Sequence, residues 1–276
     1  MELWFSEMQS KNVKMSYKIK NLLHSEKTKF QNLAVIDSEE FGRMLILDDV
    51  VQLTMKDEFI YHEMMAHVPL FTHGSPERVL VIGGGDGGTL REILKHPVKE
   101  AHLVEIDEKV IEASKRFFPE LSVAFDDPRA KIFCEDGIAY VKRFKNYYDV
   151  IIVDSTDPVG PAVGLFRKEF YKDIFDALTE KGVFVAQTES PFYYEGLLKE
   201  VYNCIAEIFP YAAVYTAVIP TYPGALWTFT IGSKQVDPSD KANVPESCNF
   251  KTRYYTPEIH KACFKIPPFI KEILSK

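Results

Sequence analysis

One short segment restricts the possible folds more than any other. Gly83-Gly84-Gly85-Asp86-Gly87-Gly88 follows an apolar run, Arg78-Val79-Leu80-Val81-Ile82, and precedes a stretch with Leu90, Ile93 and Leu94 at helical core spacing. It fits G-x-G-x-x-G between a strand and a helix. An acid, Glu105, ends the next apolar run, 22 positions after Gly83. Such a context is the nucleoside-binding half of a doubly wound α/β sheet. Glycines let the backbone approach a ligand closely, and the acid can accept hydrogen bonds from both ribose hydroxyls.

The surrounding pattern agrees. Strands are expected at Ala101–Glu105, Lys131–Cys134, Tyr148–Val153 and Gly182–Ala186. Helical stripes alternate with them: Val110, Ala113 and Phe117; Phe166, Phe170, Ile174 and Leu178; and Leu197 to Ile208. Two further strands, near Ala212–Ile219 and Leu226–Ile231, flank Pro220-Thr221-Tyr222-Pro223-Gly224. Up to about residue 70 the texture differs. Short β-branched or alternating runs such as Ser16–Lys20, Leu33–Ile36 and Met44–Leu47 are separated by turn signals, and a helix is expected from Asp57 to about Val68. His73-Gly74-Ser75-Pro76 reads as a loop. We therefore expect a small antiparallel β domain with its linking helix over 1–70, and a Rossmann-type, doubly wound α/β domain over 71–276.

Charge narrows the ligand. Lys and Arg number 33 against 40 Asp and Glu, a formal net charge of −7, which disfavours nucleic acid. Within the glycine loop, Asp86 would oppose the pyrophosphate of a dinucleotide. Two like charges about 4 Å apart at an effective dielectric near 20 repel by roughly 4 kcal/mol. A ligand that is positive at that point is favoured, unless Asp86 turns away and caps the helix. Acids recur at or just beyond the carboxyl ends of four successive strands: Asp86, Glu105, Asp136 and Asp154, with Asp157 close behind. Open α/β sheets bind ligands at those ends. A crevice lined by so many carboxylates calls for a cation. The acids are spread over several strands without a compact His/Asp set, so an organic polycation beside a nucleoside fits better than a metal.

Other chemistries lack support. His62-Glu63-Met64-Met65-Ala66-His67 has its histidines five apart, about 140° around a helix, not on the common face a zincin needs. There is no G-x-x-x-x-G-K-[ST]. The cysteines, Cys134, Cys204, Cys248 and Cys263, show no Cys-x-x-Cys, and free thiols in a reducing cytosol are expected. No apolar run is long enough to span a bilayer, and the first residues lack the features of a secretory signal. A cytoplasmic protein is expected, without nucleic-acid or membrane partners.

Four segments together resemble the polyamine aminopropyltransferase family: Tyr61-His62-Glu63-Met64, Val81–Gly88, Asp154-Ser155-Thr156-Asp157-Pro158-Val159-Gly160-Pro161-Ala162, and Pro220–Gly224. The resemblance covers essentially the whole chain and implies that the α/β domain is methyltransferase-like. It implies transfer of the aminopropyl group of decarboxylated S-adenosylmethionine to putrescine, giving spermidine and 5′-methylthioadenosine. It implies no metal or other cofactor, the decarboxylated donor being a co-substrate, and a dimer or tetramer with the N-terminal strands at the interface. Carried over position by position, Gln31 and Glu105 hold the ribose region. Asp136 and Gly137 meet the adenine, and Pro161 lines its pocket. Gly83 and Gly85 belong to the donor loop, and Asp86 binds the aminopropyl ammonium. Asp154 accepts the proton of the attacking amine. Tyr61, His62, Ser155, Thr156, Asp157 and Tyr222 surround the polyamine. Some members carry glutamine where His62 stands, and Ala225 replaces a glycine or serine. The other readings are an S-adenosylmethionine methyltransferase on the same fold, an aminopropyltransferase that prefers cadaverine, agmatine or spermidine, and a non-catalytic polyamine sensor.

Overall fold

The structure is a computed structural model that describes residues 2–156, 160–240 and 244–275. Its first part is an antiparallel sheet in sequential order: β1 (Leu3–Ser10), β2 (Val13–Lys27), β3 (Asn32–Ser38), β4 (Gly42–Leu47) and β5 (Val50–Thr54). Both faces of its middle are covered, so Met44-Leu45-Ile46-Leu47 is buried without interruption. Leu45 and Leu47 join Leu33, Val35 and Leu53 against Val110, Ala113 and Phe118 of the larger part. Met44 and Ile46 face the other way, into a small core with Tyr17, Ile36 and Val51.

The larger sheet is mixed. β6 (Arg78–Gly83), β7 (Glu100–Glu105), β8 (Ala130–Cys134), β9 (Tyr148–Asp154) and β10 (Leu178–Gln187) run parallel. β12 (Leu226–Ser233) pairs antiparallel with β10 and with β11 (Tyr211–Val218). The order is β11-β12-β10-β9-β6-β7-β8. Successive residues of the central strands serve opposite faces. Val79, Val81, Val150 and Ile152 pack under α1 (Glu58–His73) and α2 (Gly88–Ile93). Leu80, Ile82, Ile151 and Val153 pack on the other layer. Burial on both sides explains why these strands read as unbroken apolar runs. From β6 the chain winds one way to β7 and β8, then crosses back to β9 and β10. The reversal leaves a crevice beyond the carboxyl ends of β6 and β9.

The remaining helices are α3 (Glu108–Phe117), α4 (Pro119–Ser122), α5 (Gly137–Val141), α6 (Lys168–Ala177), α7 (Glu195–Ile208), α8 (Pro257–Cys263) and α9 (Pro268–Ser275). Several boundaries differ from expectation. α1 runs on past Val68, through Pro69, and stops at Gly74, whose φ of 89° ends it. The expected loop at His73 is thus the last helical turn. The stripe Phe166–Leu178 is only partly helical: Phe166 lies in a 3₁₀ segment (Gly160–Phe166), and Leu178 already pairs with Tyr148 of β9. All four stripe residues nonetheless share one core. The spacing reported the core correctly and the helix ends poorly. Neither β1 nor α5 was expected from the pattern.

Candidate active site

A cavity of about 270 Å³ opens at the sheet's reversal point. The larger domain lines it from the ends of β6, β7 and β9. The N-terminal sheet closes it with Gln31, Leu45, Leu47, Val50 and Gln52. All the acids expected at the strand ends and described here line it: Asp86, Glu105, Asp136 and Asp154. They do not converge on one point. They form two groups with different chemistry.

At one end stands Glu105, buried at the last position of β7. Its Oε2 accepts from Gly85 N–H at 3.2 Å, and its Oε1 accepts from Asp107 N–H at 3.0 Å. A Cβ on Gly85 would fall 2.8 Å from Glu105 Oε2, so only glycine lets the loop lie on the acid. Burial pushes the Glu105 carboxyl up to about 7, with help from Asp107 and Asp86 and against the two backbone N–H groups. Asp107 caps α3 through Lys109 N–H at 3.1 Å. Its other oxygen accepts from Thr28 Oγ1 at 2.6 Å and Gln31 Nε2 at 3.1 Å, which ties the N-terminal domain to this end. Asp136 caps α5, accepting from Ile138 N–H at 2.8 Å. Gly137 lies against Ile82, and Val104, Ile106, Ile138, Ala162 and Leu165 add an apolar lining.

The other end is built from side chains. Asp154 closes β9; its Oδ1 accepts from the Tyr61 hydroxyl at 2.7 Å, and its Oδ2 accepts from Thr89 Oγ1 at 2.6 Å. Asp86 accepts from Gly88 N–H at 2.7 Å, so it does brace the start of α2, but it still faces the cavity. Beside both sits His62, with Nε2 3.2 Å from Asp86 Oδ1 and Nδ1 2.6 Å from Glu58 Oε2. Burial pulls the imidazole down, yet the Asp86 and Glu58 carboxylates outweigh it and hold His62 up at about 10. The same cation acts back on the acids. Burial would raise Asp86, but His62 brings it below the usual carboxylate range. Asp154 moves the other way: burial first, then the Asp86 charge, push it up despite His62, Thr89 and Tyr61. The crevice therefore carries its own cation, which the acid pattern alone had assigned wholly to a ligand.

Tyr61 and Tyr222 pack with ring centres 5.5 Å apart and planes tilted by 55°, and the Tyr222 hydroxyl donates to Gln52 O at 2.6 Å. Burial keeps both phenols protonated. Gly83 and Gly84 hold the loop against β9, with Gly84 N–H donating to Asp154 O at 2.9 Å. Ser155 and Thr156 line the cavity, where the buried Ser155 Oγ has no hydrogen-bond partner among the described residues. Asp157 lies outside the described residues, as does the side chain of Pro161. His62, Asp86 and Asp154 bring potential metal-ligand atoms within 4.8 Å of one another. Both ring nitrogens of His62 face carboxylates as proton donors, which leaves the imidazole no lone pair for a metal. His67, the other member of the rejected zincin pattern, turns away to Glu92 and His96.

Glu58, Thr89, Arg91, Gln52 and Asp107 belong to this arrangement and escaped the sequence reading. Only Glu58 left a signal, its i,i+4 spacing to His62 on one helix.

This arrangement places the chain among Rossmann-like proteins with a nucleoside-type crevice and a charged pocket beside it. Comparison with known proteins narrows the class. A model of the spermine/spermidine synthase domain matches residues 58–242, and a model of the spermidine synthase tetramerisation domain matches residues 3–55. The polyamine aminopropyltransferase of Desulforudis audaxviator is 56% identical over 274 residues, covering 99% of both chains. That of Thermoanaerobacter pseudethanolicus is 54% identical over 277 residues, covering 100% of both. A crystal structure of spermidine synthase in complex with the transition state analogue AdoDATO superposes with a TM-score of 0.96 at 44% identity, covering 99% of this chain and 95% of that one. Spermidine synthase from Thermotoga maritima gives 0.94 at 44% identity, with coverages of 99% and 94%. The chain belongs to the spermine/spermidine synthase family, and it is a transferase with polyamine aminopropyltransferase function. Its N-terminal sheet is of the tetramerisation type. No helix among the described residues is long and apolar enough to cross a membrane.

Proposed function

We propose that the protein transfers the aminopropyl group of decarboxylated S-adenosylmethionine to putrescine, with Asp154 as general base. The observation that carries this reading is the opposed behaviour of two neighbouring acids. Asp86 is held ionised, whereas Asp154 is pushed toward holding a proton. Environments that separate two titratable neighbours assign a binder and a base.

The chemistry needs that separation. An alkylamine has a reference pKa near 10.4 and a carboxyl near 3.9, so direct proton transfer is uphill by about 6.5 units, or roughly 9 kcal/mol. A raised Asp154 narrows the gap from one side. The sulfonium of the donor narrows it from the other, because one cation lowers the proton affinity of another nearby. The amine nitrogen then attacks the terminal carbon of the aminopropyl chain, and the carbon–sulfur bond breaks. Sulfur keeps the electron pair, the product is a neutral thioether nucleoside, and the amine proton passes to Asp154.

The other groups take roles consistent with their positions. Glu105 and Gln31 hold the ribose, Asp136 and Gly137 the base, with Pro161 beside it. Gly83 and Gly85 let the donor approach the loop. Asp86 binds the ammonium of the aminopropyl chain, and its charge disfavours a donor that still bears a carboxylate there. Tyr61, Tyr222, Ser155, Thr156 and Asp157 surround the diamine, Asp157 at its far end. The reaction needs no cofactor beyond this co-substrate. The exposed apolar residues Leu3, Trp4, Met8, Val13 and Leu22 on β1 and β2 support assembly of a dimer or tetramer through that sheet. Four unpaired cysteines support a reducing, cytoplasmic setting.

The test is product analysis by mass spectrometry after mixing the protein with decarboxylated donor and a panel of putrescine, cadaverine, agmatine and spermidine. Aminopropylated putrescine as the main product is expected. Preferential labelling of another amine would overturn the acceptor assignment.

A further inference from the structure

The chain of charges that begins at Asp86 does not end at His62. Both ring nitrogens of His62 lie against carboxylate oxygens, Nδ1 at 2.6 Å from Glu58 and Nε2 at 3.2 Å from Asp86. A carboxylate only accepts, so both nitrogens donate and the ring is an imidazolium. Glu58 is itself gripped by a guanidinium fork: Arg91 Nη1 lies 3.2 Å from Oε1, and Nη2 lies 2.9 Å from Oε2. Arg91 is anchored in turn by Glu92, Nε to Oε1 at 2.8 Å. Neither Glu58 nor Arg91 lines the cavity, yet Glu58 is one hydrogen bond from a group that does. The ring is also confined from the side, since a Cβ on Gly88 would lie 2.2 Å from its Cε1.

Building on the roles given above to Asp86 and Asp154, we propose that Glu58 and Arg91 are positioning residues for the transfer. Arg91 fixes Glu58, and Glu58 keeps His62 doubly protonated and aimed at Asp86. The arrangement reserves Asp86 as the ionised amine-binding acid and leaves the exchangeable proton to Asp154. Without a cation between them, two carboxylates this close would share one proton, and neither role would be secure. The charged and titratable groups facing His62 are Glu58 and Tyr61 on its own helix, Asp86 and Arg91 from the β6–α2 segment, and Asp154 from the end of β9.

The sign of the expected pH effect follows. Glu58→Gln removes one of the two anions that hold the imidazolium, so His62 gives up its proton at a lower pH. Above that pH Asp86 has lost its cation, and turnover falls as pH rises. Nitrogen-15 NMR of labelled histidine reads the ring directly in the substrate-free protein. In the unaltered protein both His62 nitrogens should stay protonated at pH 8.5. In Glu58→Gln the ring should titrate below that pH, and kcat should drop about tenfold between pH 7 and 9 relative to the unaltered enzyme, as expected when a required cation titrates about one unit below the upper pH. Binding of 5′-methylthioadenosine should be unchanged, because the nucleoside end is untouched. The double variant Glu58→Gln, Arg91→Gln leaves no unpaired guanidinium, keeps the test open if the single variant folds poorly, and should give the same NMR and rate profiles. A His62 that remains doubly protonated at pH 8.5 in both variants would overturn the proposal. So would a shifted His62 titration with an unaltered pH–rate profile, which would make the brace purely structural. The NMR measurement does not depend on which acid is the base. A fully active Asp154→Asn enzyme would reject that assignment while leaving the His62 titration to be judged by itself.

Discussion

The two ends of the cavity hold their acids by different means. At the Glu105 end the partners are backbone N–H groups, from Gly85, Asp107 and, for Asp136, Ile138. At the Asp154 end they are mostly side chains: Tyr61, Thr89, His62 and, behind it, Glu58, with Gly88 N–H adding a backbone donor to Asp86. Backbone donors stay put when a ligand arrives and carry no proton to give, which suits a subsite that only binds. Side-chain partners can exchange protons and set each other's affinities, which suits a subsite that must move one.

Substitutions that strike one end and spare the other test this division. The largest effect is expected at Asp154. Asp154→Asn should lower kcat by about two to four decades, the usual contribution of a general base, while calorimetric binding of 5′-methylthioadenosine stays near normal. A rate within threefold of the original would remove Asp154 from the chemistry. Next come two glycines of one loop. Gly88→Ala would drive His62 off Asp86, and a displacement of about 1 Å at a reacting group can cost about a hundredfold in rate. Gly85→Ala would instead press on Glu105, and should act mainly on nucleoside affinity. If both variants lost rate and affinity in equal proportion, the two ends would not be separable. Asp86→Asn should be smaller and selective. A hydrogen bond to a charged group contributes about 1.5–3 kcal/mol, so decarboxylated donor should bind about 10- to 100-fold more weakly, with methylthioadenosine little affected. Competition binding with the two ligands measures the difference.

The same contrast governs what could be read from the chain. The nucleoside end was legible because its devices are local: a glycine loop after a strand, and acids at strand ends. The sheet was legible because strands covered on both faces are unbroken apolar runs, as in Val150–Val153. At the amine end the pattern by itself marked only the acids, and Tyr61, His62, Ser155, Thr156 and Tyr222 were reached through the family resemblance. Thr89 and Arg91 reach it from α2 and Gln52 from β5, and no spacing in the sequence announces that Arg91 will meet Glu58. β1 escaped for a different reason. Its apolar Trp4 and Met8 are exposed, whereas Glu7 and Gln9 are buried, the reverse of the alternation that marks a strand on a single chain's core.

The smallest expected effect is the most direct check on the binding end. Glu105 sits at about 7 because burial disfavours its charge. Ribose hydroxyls donate hydrogen bonds and favour the ionised carboxylate, so the bound protein must hold that proton less tightly than the free one. Nucleoside binding then releases a proton below neutrality, and affinity rises with pH until Glu105 is ionised in the free protein. The dissociation constant of methylthioadenosine should fall between pH 6 and 7 by about fivefold, within the tenfold-per-unit limit for one proton, and level off above pH 8. Calorimetry in buffers of different ionisation enthalpy should detect the released proton at pH 6. Glu105→Gln should bind more weakly and without the slope. A slope that survived in that variant would place the titrating group at the other end of the cavity, where His62 and Asp154 exchange charge, and the division between a binding half and a proton-moving half would fail.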